Sequence, residues 1–436
     1  MLGWLVRYTR DPYGVFTKLA ARYGDPALVR LPDTPGTVVT GCPEGVRAII
    51  GADHHTVAPW RPPSLALLTE DSLFLQSGER HQATRRLLAP LFAGPRQGEH
   101  ATLMARVVDA QLAHVQPGRV RANDLALELT LRIILAAIFG DAGEARVDRF
   151  RAAAGAVLDD RGPTMLFVPL LRRLSPRWKR IERGVLALRA LVREEVVARR
   201  ATTDLAAPPT DMLGQLLRVR KPDGTALADR EIAVHLADLV IAGHETTTVA
   251  VAWACYELCR HPAVMARLVD ELDAHAARTR AGDRTSAAAL PYLVAVCLET
   301  LRVHPPLGLL TREVTRPLPV CGHAVPPGHG VSIAVPLAHR NPDVYPEPEA
   351  FRPERFLERT PRPESYLPFG GGGQRCLGAT FAQQEMAIIL AGLLARFRLR
   401  LRRDRPLRAK ARVITIAPAG GVELILERRP ARVPAI

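Results

Sequence analysis

A single cysteine, Cys376, follows four consecutive glycines in the stretch PFGGGGQRCLGATFAQQE. A cysteine attacks or ligates as its thiolate, and the N–H groups and dipole at a helix N-terminus favour that anion. Downstream, Phe381, Met386, Ile389, Leu393 and Phe397 fall on one helical face, which predicts a helix beginning just after Cys376. Glycines 370 to 373 permit positive φ and let the backbone approach a bulky flat group. A thiolate so placed can be a nucleophile or an axial metal ligand. No histidine stands nearby as a base, and no second cysteine completes a zinc or iron–sulfur set. That leaves haem iron as the metal a lone thiolate would bind. The competing reading, a small buried hydrophobe, is the usual fate of a solitary cysteine.

Other stretches carry polar residues at suggestive spacing. LETLRVHPP sets Glu299 and Arg302 three apart on one helical face, a pair that contributes little if exposed. AGHETTT puts Gly243 inside a helix, at a cost of about 1 kcal/mol relative to alanine. Glu245 and Thr246 follow it among apolar Leu236, Leu239, Val240, Val249 and Val251. GERHQATRRLLAP places His81 and Arg85 four apart.

FGGGGQRCLG resembles the cysteine-ligand loop of the cytochrome P450 superfamily: a Phe, a Gly, a basic residue, then Cys-x-Gly. The resemblance implies that Phe369 packs beside the sulfur, Gly372 makes the turn, Cys376 binds iron and Gly378 lets the helix pass close to haem b. Gln374 stands where Arg or His usually faces a haem propionate, with Arg375 one place later, so either could make that contact. By the same resemblance His81, Arg85 and Arg312 of LLTREVT hold propionates. Ala242 and Gly243 leave room for dioxygen and substrate, Thr246 supplies a hydrogen bond in oxygen activation, and Glu245 relays protons. Glu299 and Arg302 meet Arg355 of FRPERF in a buried network that supports the loop. These motifs occur in the family's order from 81 to 378, and DPYGVFTKLAARYGD is similar to its first helix, so the whole chain, 1–436, reads as a single domain of this family.

The elements needed to position these residues are visible in the pattern. From about 80 to 260 the periodicity is helical, interrupted at AAPPTD (206–211) and RKPDGTALAD (220–229). A helix of about thirty residues is predicted from Asp229 to Arg260, roughly 45–50 Å long, with Asp229 and Glu231 at its positive end. Between about 310 and 345, valines and Pro-Gly turns predict short strands. The expected fold is mainly α with a small segregated β-sheet, the haem lying between the long helix and the cysteine loop. Cys255 and Cys259, one turn apart in that helix, read as core packing.

Composition narrows the partners. The formal charge is +15, carried mostly by arginine, with lysine only at 18, 179, 221 and 410. The arginines form no run and have no interleaved aromatics, which argues against nucleic acid and for an acidic protein partner. The six cysteines are too dispersed for a disulfide scaffold. MLGWLVRYTR does not read as a signal peptide and no apolar segment is long enough to span a bilayer, so a cytoplasmic monomer with no membrane anchor is expected.

The implied activity is a monooxygenase that inserts one atom of O2 into an apolar small molecule: a terpenoid, steroid, fatty acid or polyketide of secondary metabolism. Electrons would come from NAD(P)H through a ferredoxin or flavodoxin and its reductase. Arginines 352, 355, 359, 362 and 375 cluster around the loop where such a donor would dock, Arg355 being buried. Substrate contacts are expected in 60–78, 160–180, 236–246, 306–311 and 417–420, including Leu166, Phe167, Val168, Leu307, Leu309 and Leu310. Two rivals compete: a peroxide-using enzyme of the same fold would place a basic residue at Glu245–Thr246, and a nucleic-acid-binding protein would leave Cys376, Glu299 and Glu245 without a role.

Overall fold

The computed structural model describes residues 2–430 except 31–34, 62–70, 95, 141–142, 158–175, 203, 205, 222, 279–285 and 413–414. Its axis is the helix Asp229–Arg260, 32 residues long, or about 48 Å at 1.5 Å per residue. Glu231 tethers its start, accepting the Ala228 N–H at 2.9 Å and pairing with Lys221 at 2.8 Å. Pro262 follows its end, where a proline cannot continue the hydrogen-bond ladder. From Ile232 to Leu258 most side chains are buried, so the helix runs through the core and not over it.

The helix Ala122–Phe139 packs against this axis. A Cβ on Gly243 would lie 3.0 Å from Ile134 Cδ1, and the Thr130 and Thr248 hydroxyls meet at 2.8 Å. The missing side chain of Gly243 thus admits the neighbouring helix. Close helix packing is thus one demand that keeps this position small.

The helix Ala379–Arg396 also packs against the axis. It stops one residue before Phe397, which was expected on its apolar face. Phe397 instead opens the strand Phe397–Leu401, buried at 1 % exposure, because FRLRL alternates with period two.

The strands form small sheets, and Phe397, Leu399, Leu424 and Leu426 join the core of the helices. The largest orders Ala27–Val29, Thr37–Thr40, Gly330–Ala334, Leu309–Val314 and Val57–Pro59, antiparallel except for a parallel pairing of Thr37–Thr40 with Gly330–Ala334. A second joins Gly118–Arg121, Glu423–Arg428 and Phe397–Leu401, and among the described residues two ribbons complete the set. Among the described residues, no helix is long and apolar enough to cross a membrane.

Candidate functional site

The loop before Cys376 is closed on itself by its backbone. The Cys376 N–H donates to the Phe369 carbonyl at 2.8 Å, Arg375 N–H to Gly372 at 3.1 Å, and Gly370 N–H to Leu367 at 3.0 Å. Gly372 has φ +63, and a Cβ there would sit 1.9 Å from the Ile50 carbonyl oxygen, so no other residue fits. The helix starts three residues past the sulfur, its first turn closed by Ala382 N–H to Gly378 at 2.8 Å. Phe369 and Leu377 are partly buried against the main core.

Cys376 keeps solvent-accessible surface although protein atoms crowd it. That crowding pushes its thiol up, outweighing the Gly378 N–H, Arg85 and Arg375, which pull it down. The helix terminus by itself therefore does not make a thiolate here. A metal at the sulfur would, since a coordinating thiol is deprotonated outright.

Basic side chains from three elements lie near one another here, Arg85 and Arg375 acting on the sulfur and His81 feeling Arg85 and Arg312. His81 and Arg85 lie on the helix Gly78–Leu88, Arg312 on the strand Leu309–Val314, and Arg375 on the loop. Burial, then Arg85 and Arg312, lower His81; burial lowers Arg85, which also feels Cys376 and Arg375. Burial brings Arg312 down to about 10, while its Nη1 donates to the Thr311 carbonyl at 2.8 Å. Among the described residues no carboxylate pairs with Arg85, Arg312 or Arg375. The partly desolvated Arg85 and Arg312, without counter-charges, suit a ligand that brings its own acid groups. Arg375 is the loop residue whose charge acts on both Arg85 and Cys376, whereas among the described residues the Gln374 side chain has no hydrogen-bond partner.

On the long helix, the Thr246 hydroxyl donates to the Ala242 carbonyl at 2.8 Å. Buried Glu245 accepts from Thr415 at 2.9 Å, with the Arg412 guanidinium 3.9 Å away. The acid therefore faces the C-terminal strands, and the adjacent hydroxyl is parked on its own helix.

The supporting network is fully interior. Glu299 and Arg302 are both 0 % exposed, joined at 2.7 and 2.8 Å, and Arg355 reaches Glu299 at 3.1 Å. Arg302 also donates to the carbonyls of His339, Pro348 and Ala350. His339, which sequence reasoning missed, carries this network to the loop. Its Nδ1–H donates to the Arg302 carbonyl at 3.0 Å and its Nε2 accepts the Leu367 N–H at 2.8 Å. Both nitrogens are committed, so the ring is neutral; burial pushes its pKa down to about 3. Glu385 was also missed. Fully buried on the helix after the loop, it faces Thr247 of the long helix, and burial holds its carboxyl well above the carboxylate range. Only spacing from Cys376 could have drawn attention to it; nothing in the sequence around His339 marks it out.

Of the expected substrate contacts, Leu307, Leu309 and Leu310 are half-buried, and Leu310 lies 3.9 Å from the Cβ position of Gly370, so this strand abuts the loop. Leu166, Phe167 and Val168 lie outside the described residues.

A family model described as Cytochrome P450 matches residues 1–422. Cytochrome P450 135B1 of Mycobacterium tuberculosis is 34% identical over 415 residues, covering 94% of this chain and 84% of that protein. Cytochrome P450 138 of Mycobacterium bovis is 30% identical over 431 residues, covering 98% and 91%. Among solved structures, a cyanobacterial CYP120A1 bound to retinoic acid aligns with a TM-score of 0.85 at 24% identity, covering 98% of this chain and 96% of that one. A cytochrome P450DA heme domain aligns with a TM-score of 0.84, also at 24% identity, covering 98% and 95%.

Proposed function

Because the chain belongs to the cytochrome P450 family, we propose that Cys376 is the thiolate ligand of its haem b and that Thr246 and Glu245 manage proton delivery. The protein is a haem-thiolate monooxygenase: when bound, the haem supplies reductive activation of O2 and transfer of one oxygen atom. The observation that carries the assignment is that the half-buried Arg85 and Arg312 and the loop's Arg375 lack carboxylate partners among the described residues. Two haem propionates would supply the missing charges, with Arg85, Arg312 and Arg375 as the cations and His81 as a further partner. On this reading Arg375, and not Gln374, takes the place of the usual basic residue. Phe369 and Gly378 flank the sulfur, and Gly372 holds the turn.

Thr246 can turn its hydroxyl away from the Ala242 carbonyl, since threonine splits between two rotamers in a helix. It would then donate where oxygen is reduced, while Glu245 exchanges protons through Thr415. Thr246→Ala is expected to cut product formed per NAD(P)H consumed several-fold and raise peroxide release, with the thiolate-type spectrum unchanged. Unaltered coupling would remove Thr246 from the mechanism. The retained acid–threonine pair favours O2 over peroxide as the oxidant.

The substrate is read as an apolar small molecule such as a terpenoid, steroid, fatty acid or polyketide, supported by Leu307, Leu309 and Leu310 beside the loop. The electron donor is read as an acidic ferredoxin or flavodoxin. Arg359 and Arg362 are exposed near the loop, whereas Arg352 is tied to Glu358 and Arg355 is buried. Steering by such charges weakens as the Debye length falls from about 10 Å at 0.1 M salt to about 3 Å at 1 M. Reduction by an acidic ferredoxin should slow markedly over that range, and Arg362→Glu should slow it at low salt without changing substrate binding. A salt-independent rate would move the docking site elsewhere.

A further inference from the structure

We propose that Cys42 and Cys321 are a redox pair that hydrogen peroxide converts reversibly into a disulfide, bracing the helix on which the ligand loop is seated. The two sulfurs lie 2.6 Å apart although 279 positions separate them in the chain. Both cysteines are free and half-buried, so a small oxidant can reach them. Closing a bond of about 2.05 Å needs only about half an ångström of further approach.

The surroundings give the two thiols different roles. Cys42 caps the helix Pro43–Gly51, its Sγ accepting the Gly45 N–H at 3.3 Å and the Thr40 hydroxyl at 3.2 Å. A thiolate is the attacking form of a cysteine, and Cys42 is the sulfur of the pair that sits at a helix start. Cys321 stands in the turn between the strands Leu318–Val320 and His323–Val325, at φ +48. Burial, then its contact with Cys42, pushes its thiol up to about 12. Gly45 makes the meeting possible, because a Cβ there would sit 2.9 Å from the Cys321 sulfur.

The chemistry balances with peroxide as the sole oxidant. The Cys42 thiolate attacks one peroxide oxygen, the O–O bond breaks, and the departing hydroxide takes a proton to become water. The resulting sulfenic acid is attacked by the Cys321 sulfur; the S–O bond breaks as the S–S bond forms, and the Cys321 proton leaves with the hydroxyl as a second water. Two thiols lose two electrons, and one peroxide becomes two waters. Peroxide is also what a monooxygenase releases when turnover uncouples, so the oxidant arises on the same molecule. Cys255 and Cys297 are buried and burial raises both thiols, which leaves them inert by comparison.

The consequence reaches the site through one helix. Cys42 caps its start, and the Ile50 carbonyl near its end is the atom that Gly372 packs against. A bridge across so long a stretch of chain restricts the unfolded state strongly.

The test uses the haem-loaded protein, reduced with a dithiol, desalted and given one equivalent of hydrogen peroxide. Free thiols are then alkylated and the digest is read by mass spectrometry without reduction. The expected result is a linked Cys42–Cys321 peptide, a melting temperature higher by about 5 °C, and reversal of both by dithiol. Cys42→Ser and Cys321→Ser should each abolish the link and the shift. Recovery of both cysteines in alkylated form, over-oxidation of Cys42 without a link, or pairing of either with another cysteine would overturn the proposal.

Discussion

Glu299→Ala is expected to yield little folded, haem-loaded protein. Its carboxylate is 0 % exposed and holds Arg302 with both oxygens, Arg355 at 3.1 Å and the Arg352 N–H at 2.8 Å. Truncation would leave two buried guanidinium groups facing each other without a counter-ion. Breaking a buried pair from one side costs about 3–5 kcal/mol, against a total stability of about 5–15 kcal/mol for a typical domain. The stranded Arg352 N–H adds about 1–3 kcal/mol. The Arg302 carbonyl that orients His339, and through it Leu367, would lose its fixed position, so haem retention should fall further than melting temperature alone suggests. Glu299→Gln should be intermediate, since an amide can accept some of these bonds but brings no charge. Melting temperature and the ratio of bound haem to protein check this. A Glu299→Ala protein that melts within a degree or two of wild type with full haem would show that the network is dispensable.

Cys376→Ser should separate ligation from folding. The loop is closed by the Cys376 backbone N–H, which serine retains, and Gly372 against Ile50 is untouched. The apoprotein should therefore melt within a few degrees of wild type. Serine is a poor axial ligand, being far harder to deprotonate than a thiol, so substrate oxidation should drop to background. Residual oxidation at the wild-type rate would require a different ligand.

Much of the architecture could be read from the residues because local and global preferences agree there. The helix Asp229–Arg260 was visible from end to end: breaks precede it, acids begin it, a proline follows it, and apolar residues fill it. Where two periodicities overlap, reading failed by one residue, as at Phe397. Gly243 shows a different limit. Its cost to the helix was legible, but whether the space it frees faces a ligand or Ile134 depends on a partner helix more than a hundred residues away. His339 and Glu385 were missed for the same reason, since a buried polar residue is recognised by its partners and not by its neighbours in sequence. The convergence of Arg85, Arg312 and Arg375 was suggested only by resemblance, and the pairing of Cys42 with Cys321 left no trace in spacing at all.

The central claim is that Cys376 holds haem iron as a thiolate, and the reduced, CO-bound absorption spectrum tests it most directly. The wild-type protein is predicted to show the red-shifted Soret band of thiolate ligation, and Cys376→Ser to lack it. A wild-type band at the position of nitrogen-ligated haem, or the same red-shifted band in Cys376→Ser, would contradict the account.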